Sequence, residues 1–345
     1  MINSLVEKID KPILNNAQTE LFEKFYSLEI IHKMQNSYSL KNYRFIDLFA
    51  GIGGIRIGFD KLHAKCVFAS EWDKFSQITY QKNFHHPVAG DITKIDEKDI
   101  PEFDILLAGL PCQPFSNAGK KQGFADLRGT LFFDICRIVS YHQPQVILLE
   151  NVKGFKSHDK GNTFAIVKKN LEDLGYKIFV QILNSKDFGL AQNRERIYIV
   201  CFKNHVKFQF PLPFANSSKL GNILEKEVAQ KYTISNKLWE GHQRRKNQHI
   251  AKGNGFGYSI FNKNSPYTST ISARYYKDGS EILIEQENKN PRKITPREAA
   301  RLQGFPEDFI IPVSDVQAYK QFGNSVSVPV IEAIAVEIAK ALAKK

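Results

Sequence analysis

The sequence predicts an α/β protein: a doubly wound, mostly parallel, Rossmann-like sheet joined to a second, smaller and loop-rich domain. Three observations carry this. Short apolar runs alternate with amphipathic stretches from residue 43 to residue 203, which is the rhythm of strand and crossover helix. A glycine turn, Gly51-Ile52-Gly53-Gly54, follows the first apolar run, where such folds bring bare backbone to a ligand at a helix N-terminus. The alternation then stops between Lys203 and Lys289, a stretch rich in Asn, Lys, Gly and aromatic residues. The expected division is an N-terminal extension (1–42), a catalytic and cofactor-binding domain (43–203), the smaller domain (204–290) and a return segment (291–345). The return segment carries an apolar helix at 330–342 that needs the first sheet to cover it.

The 345 residues, 42% hydrophobic and 24% charged, are ordinary for a globular protein. No apolar run reaches the roughly 18 residues of a membrane span. Residues 1–10 are partly acidic and lack the long apolar core of a secretory signal, so a cytoplasmic location with no membrane partner is expected. Cys66, Cys112, Cys136 and Cys201 lie far apart with no Cys-x-x-Cys pair, which argues against a zinc knuckle or a disulfide framework. No metal is expected. A net charge of +12 and a pI near 9.3 suggest a polyanionic partner, since phosphate contacts release counterions.

In chain order, residues 43–49 read as a first buried strand, turned by the glycine loop into a helix. The loop is not a Walker A, because no Gly-Lys-Ser/Thr follows, and Arg56 stands where the third glycine of Gly-x-Gly-x-x-Gly belongs. A nucleoside cradle fits better than a phosphate cradle. A second strand, 66–70, ends in Glu71-Trp72-Asp73, about 20 residues past the glycines, where nucleotide folds hold ribose hydroxyls. Trp72 would lie against an adenine or simply pack. After a helix at 74–84, the Asp91 of Gly90-Asp91-Ile92 is either an adenine ligand or a plain surface aspartate.

The run 103–108 is bounded by Pro101 and Gly109 and feeds Gly109-Leu110-Pro111-Cys112-Gln113-Pro114-Phe115-Ser116. Two prolines bracket Cys112, so its thiol sits on a stiff turn at a sheet edge. That suits a nucleophile, which must attack as thiolate; the alternative is a cysteine packed as a small hydrophobe. Residues 117–128 read as an irregular basic segment able to close over substrate. A helix at 130–141 and a strand at 146–149 lead to Glu150-Asn151-Val152, which places a carboxylate at the same edge. A helix (163–174) and a strand (176–183) precede Gln192-Asn193-Arg194-Glu195-Arg196, which enters a strand at 197–202. Its two arginines would stabilise a thiolate, a carboxylate or a phosphate, or else form surface salt bridges. Between 204 and 289, Arg244-Arg245-Lys246 and Ser272-Ala273-Arg274-Tyr275-Tyr276-Lys277 fit a nucleic-acid surface; a plain β-rich domain is the alternative.

Taken together and in this order, these strings, with Arg297-Glu298, Gly304-Phe305-Pro306 and Gly323-Asn324-Ser325-Val326, resemble the bacterial DNA (cytosine-5) methyltransferases of the restriction-modification type. The resemblance spans about residues 45–338. It implies S-adenosyl-L-methionine as cofactor, S-adenosyl-L-homocysteine as its product, and a target-recognition domain built from 204–290. It further implies double-stranded DNA as partner, with methylation of cytosine C5 in a short site by base flipping and a covalent Cys112 adduct at C6. A protective role beside a separately acting endonuclease, and a monomeric state, are also implied. Carried over by residue, Cys112 resembles the nucleophile, Glu150 the group engaging cytosine N3 and the amino group, and Arg194 and Arg196 the supports of the flipped base. Phe49, Gly51, Gly53, Glu71, Trp72, Asp91, Ile92, Leu131, Asn324 and Ser325 resemble the cofactor pocket. Gln192, Arg244, Arg245, Arg274 and Tyr275 are expected to face DNA. An RNA cytosine-5 methyltransferase and a nicotinamide oxidoreductase remain as rivals.

Overall fold

The computed structural model describes residues 38–110, 131–214, 218–255 and 257–343; the Cys112 loop, the basic segment after it and most of the N-terminal extension lie outside these. Strands β1 (Arg44–Leu48), β2 (Lys65–Ser70), β3 (Ile105–Gly109), β4 (Val146–Val152), β5 (Lys177–Asn184) and β6 (Glu195–Phe202) form one sheet in the order β2-β1-β3-β4-β6-β5. The helices are α1 (Gly54–Asp60), α2 (Lys74–Phe84), α3 (Leu131–His142), α4 (Asn162–Asp173), α5 (Asn236–Ala251), α6 (Pro296–Leu302), α7 (Asp315–Asn324) and α8 (Val328–Ala343). Among the described residues no helix is long and apolar enough to cross a membrane.

Successive strand residues face opposite sides, and both sides are apolar. Phe45, Ile105, Leu107, Val146 and Leu148 pack with Ile55 and Phe59 of α1 and with α8. Ile46, Leu48, Leu106, Ala108, Ile147 and Leu149 pack with Phe132, Ile135 and Val139 of α3 and Val167 and Leu171 of α4. Burying each such side chain contributes about 1.5–3 kcal/mol, which is why these strands read as continuous apolar runs. In α8, Ile331, Ile334, Ala335 and Ile338 fall on one stripe and join the first core, so this helix covers one face of the sheet. Gly58 makes this possible: a side chain there would begin 2.7 Å from Ile331 Cγ2.

The chain steps from β1 out to β2, then back across β1 to β3. This reversal creates a crevice at the carboxyl ends of β1 and β3, where open α/β sheets bind ligands. One strand runs against the rest. β6 is antiparallel to both neighbours, so its amino end lies at the same edge as the carboxyl ends of the other five, with Arg196 paired to Val152. The smaller region contains α5 and the short strands β7 (Ile260–Phe261) and β8 (Leu283–Ile284), which form a separate sheet with β9 (Arg292–Lys293) at the start of the return segment. Ile271, Tyr275, Ile282 and Ile284 make a third core with Leu302, Phe305 and Phe322 of the return segment.

Candidate active site

At the tip of β1, Phe49 adopts φ +54°, a left-handed conformation that costs a non-glycine residue about 1–3 kcal/mol and tends to persist at functional sites. It turns the chain off the strand, and Ala50 N then donates to Ser70 O at 3.0 Å. Gly51 N donates to Glu71 Oε2 at 2.8 Å, and open space lies where a side chain at Gly51 would stand. Gly53, at φ +82°, sits directly on the Phe84 ring, which a side chain would strike. The adjacent Gly54 admits Ser325, whose Oγ lies 2.7 Å from where a Cβ would be. Residues from opposite ends of the chain thus meet at one loop.

Glu71 is buried. Its Oε1 accepts from Asp73 N at 2.8 Å, and burial raises its pKa against the restraint of the Asp73 and Gly51 N–H groups. Each oxygen keeps a lone pair for a further donor. Beside it, Trp72 is 79% exposed, so its indole is not held by core packing. Asp91 accepts from Thr93 N at 3.0 Å and from Thr93 Oγ1 at 2.8 Å, and these bonds hold its carboxyl below the usual range. Ile92 is buried and accepts from Arg137 of α3 at 2.7 Å; Leu131, half-buried, opens that helix. Asn324 is exposed at the end of α7.

On the neighbouring tips, Glu150 stands opposite Gly109 in the β3–β4 register, and Leu110 N donates to Glu150 O at 3.0 Å. The Glu150 carboxyl is buried. Arg196 Nε lies 3.2 Å from Oε1, while Oε2 lies 3.8 Å from where a side chain at Gly109 would begin. Burial raises the Glu150 pKa, opposed first by Arg196 and then by Arg194. A buried carboxyl with a raised pKa is suited to carrying a proton to a bound base.

Other expectations are corrected. Arg194 stands just ahead of β6 and is only 2% exposed, so the surface salt bridge does not fit its placement. Its Nη1 donates to Ile271 O at 3.0 Å, and its Nη2 to Gly323 O at 3.0 Å and Ser325 O at 2.6 Å. Burial, with Arg196 adjacent, pulls its pKa down to about 9, which leaves it charged at neutral pH. Gln192, expected to face DNA, is fully buried: its amide bonds Leu302 O, Gln303 Oε1 and Ile271 N. Tyr275 is also fully buried, with its hydroxyl donating to Ile282 O and accepting from Ile294 N. Neither can touch DNA from there. Arg244, Arg245 and Arg274 are exposed, Arg245 being tied to Asp278 at 3.1 Å.

The C-5 cytosine-specific DNA methylase family matches residues 43–340. Over 306 residues the chain is 63% identical to the Type II methyltransferase M.SsoII of Shigella sonnei, covering 87% of this chain and 81% of that relative. The chain belongs to the C-5 cytosine-specific DNA methylases. M.HhaI of Haemophilus parahaemolyticus, also a Type II methyltransferase, is 40% identical over 88% of this methylase and 96% of that relative. The crystal structure of S. pombe Dnmt2 methyltransferase shares the fold, with a TM-score of 0.71 at 20% identity over 88% of this chain and 99% of that one. The methylase is thus an enzyme acting at C5 of cytosine in DNA, on an α/β, mostly parallel scaffold.

Two groups in this methylase have bracing contacts that the sequence does not reveal. Gln303 is fully buried and donates to Phe322 O at 2.6 Å and Ser325 O at 3.3 Å. Beneath the glycine loop, Arg56 donates to Asp60 at 2.8 Å and to Tyr80 at 3.2 Å, Tyr80 donates to Asp47 at 3.3 Å, and the guanidinium lies 4.4 Å over the Phe84 ring. The arginine in the third-glycine position therefore turns inward and braces α2 against the loop. Such contacts leave no periodic signal.

Proposed function

We propose that this methylase transfers a methyl group from S-adenosyl-L-methionine to C5 of a cytosine rotated out of a short duplex DNA site, with Cys112 as nucleophile. We further propose that it acts as a monomer and protects that site from a separate restriction endonuclease, as the Type II naming of its relatives suggests. The observation that carries the chemistry is the buried Glu150 carboxyl, 3.2 Å from Arg196, on β4 opposite Gly109 of β3, the strand that the Cys112 loop follows in sequence.

The β1 and β2 tips fit the nucleoside. Gly51 has room for a close approach, Glu71 has free lone pairs for ribose hydroxyls, Trp72 offers an exposed aromatic face, and Asp91 keeps Oδ2 for an adenine amino group. When bound, S-adenosyl-L-methionine supplies an electrophilic methyl on a sulfonium. Cytosine C5 is a poor nucleophile until the Cys112 thiolate adds at C6. Glu150 shares its proton with N3 as the addition proceeds, which turns the ring into an enamine at C5. Arg196 holds the Glu150 carboxyl in place. Once C5 carries the methyl, a base takes the C5 proton, β-elimination breaks the C6–S bond to free the Cys112 thiolate, and N3 returns its proton to Glu150. Rotating the base out costs a few kcal/mol, offset by phosphate contacts from exposed cations such as Arg244 and Arg274.

Trp72→Ala is expected to weaken S-adenosyl-L-homocysteine binding about tenfold, the scale of one lost base–aromatic stack, without lowering the melting temperature; titration calorimetry beside a thermal melt reads both. The function itself is tested by bisulfite sequencing of DNA from cells expressing the protein. Protected cytosines confined to one short motif are expected. Uniform conversion, with methylated RNA in its place, would overturn the duplex-DNA reading.

A further inference from the structure

We infer that Gln192, Arg194 and Gln303 form a buried hub that couples the cofactor pocket to the target-recognition segment beginning at Ile271, with Arg194 as its central positioning residue. This rests on the proposed cofactor site at Asn324–Ser325 and the proposed DNA-reading role of residues 204–290.

The geometry is specific. Both backbone groups of Ile271 are held by side chains from the same short stretch: Gln192 Oε1 accepts from Ile271 N at 3.0 Å, and Arg194 Nη1 donates to Ile271 O at 3.0 Å. The other end of the same guanidinium holds Gly323 O and Ser325 O, the carbonyls on either side of exposed Asn324. Gln303 closes the circuit. It takes Gln192 Nε2 on its Oε1 at 3.0 Å and donates to Phe322 O and Ser325 O, while Ser327 Oγ reaches its Oε1 at 3.3 Å.

Gln192 and Gln303 are fully buried and Arg194 nearly so, so water cannot substitute for a broken bond. There is also no slack between the two segments. Gly323 lies against the Ser272–Ala273 backbone so closely that a side chain there would overlap it. A ligand that fixes residues 323–325 therefore fixes 271–273, and the exposed Arg274 is next in the chain. Arg194 Nε is itself buried with no acceptor among the described residues; the fork is aimed by what it joins, not by full satisfaction of its own donors. Coupling of this kind must be reciprocal.

The test is a binding cycle using S-adenosyl-L-homocysteine and a duplex carrying the site found by bisulfite sequencing. In the wild type, each ligand is expected to tighten the other by the same factor, about tenfold, within the usual span of such couplings. Arg194→Lys keeps the charge, but one ammonium cannot span carbonyls on both sides. The variant is expected to bind each ligand singly while the factor falls toward one, and its KM for S-adenosyl-L-methionine stops depending on DNA concentration. A merely structural role would lower the melting temperature and weaken both ligands without changing that factor. As a check independent of the variant's folding, S-adenosyl-L-homocysteine alone should slow hydrogen exchange at amides 271–277 of the wild type. A wild-type factor of one, an unchanged factor in Arg194→Lys, or unaltered exchange at 271–277 would overturn the hub. Failure of the wild type to bind S-adenosyl-L-homocysteine at all would instead overturn the cofactor assignment.

Discussion

A duplex with 5-fluorocytosine at the target position is expected to become covalently joined to this methylase through Cys112. Addition of the thiolate at C6 and acceptance of the methyl at C5 proceed as with cytosine, but the last step requires loss of the C5 substituent as a cation. A proton can leave in that way and fluorine cannot, so the Cys112–C6 bond persists. The adduct is checked by denaturing electrophoresis and by mass spectrometry of the trapped peptide. Cys112→Ala should abolish trapping and reduce turnover on ordinary duplex by ~10⁴-fold or more, the scale at which losing an acting nucleophile is felt. Duplex binding should survive, because phosphate contacts carry most of that affinity. Recovery of the adduct on Cys66, Cys136 or Cys201 would displace Cys112 from the mechanism. Those three offer little competition on physical grounds: Cys66 and Cys201 are buried, and burial raises the pKa of all three, to about 12 for Cys66 and Cys136.

The strands were legible because each is a short apolar run stopped by glycine, proline or a polar cluster, and both faces of the sheet are covered. The glycine turn, Glu71 and Glu150 were legible for the same reason, since a strand's end fixes what stands at the sheet edge. Direction was not. An apolar run reads alike in a parallel or an antiparallel strand, and only the reversal of β6 explains why Arg196, at the start of its strand, reaches Glu150 at the end of β4. Burial of polar side chains was equally hidden. Gln192 and Tyr275 have the chemistry of DNA readers, but their partners are backbone groups far away in sequence, Leu302 O for one and Ile294 N for the other. Helix α5 escaped notice because His242 is its one buried residue among those described, and a helix that buries almost nothing shows no apolar stripe.

Glu150→Gln is expected to lower turnover by about 10²–10⁴-fold, the range for a lost general acid, while duplex binding persists. The pH profile distinguishes a proton-carrying role from a hydrogen-bonding one. Burial raises the Glu150 pKa, and the two arginines reduce this shift without cancelling it. The neutral, proton-bearing form therefore survives to higher pH than in an exposed glutamate and is lost as pH rises through the raised value. The Cys112 thiolate becomes more abundant over the same rise, so kcat/KM should be bell-shaped, with the alkaline limb belonging to Glu150 and the acid limb to the thiol. Glutamine has no proton to lose in this range. In Glu150→Gln the alkaline limb should flatten while the acid limb stays, whatever the residual rate. Arg196→Gln provides the opposite displacement: it removes the cation that most lowers the Glu150 pKa, so the alkaline limb should move to higher pH even as the rate falls. Unchanged turnover in Glu150→Gln, or an alkaline limb that survives the substitution, would remove Glu150 from proton transfer and leave Arg196 as a support for the base alone.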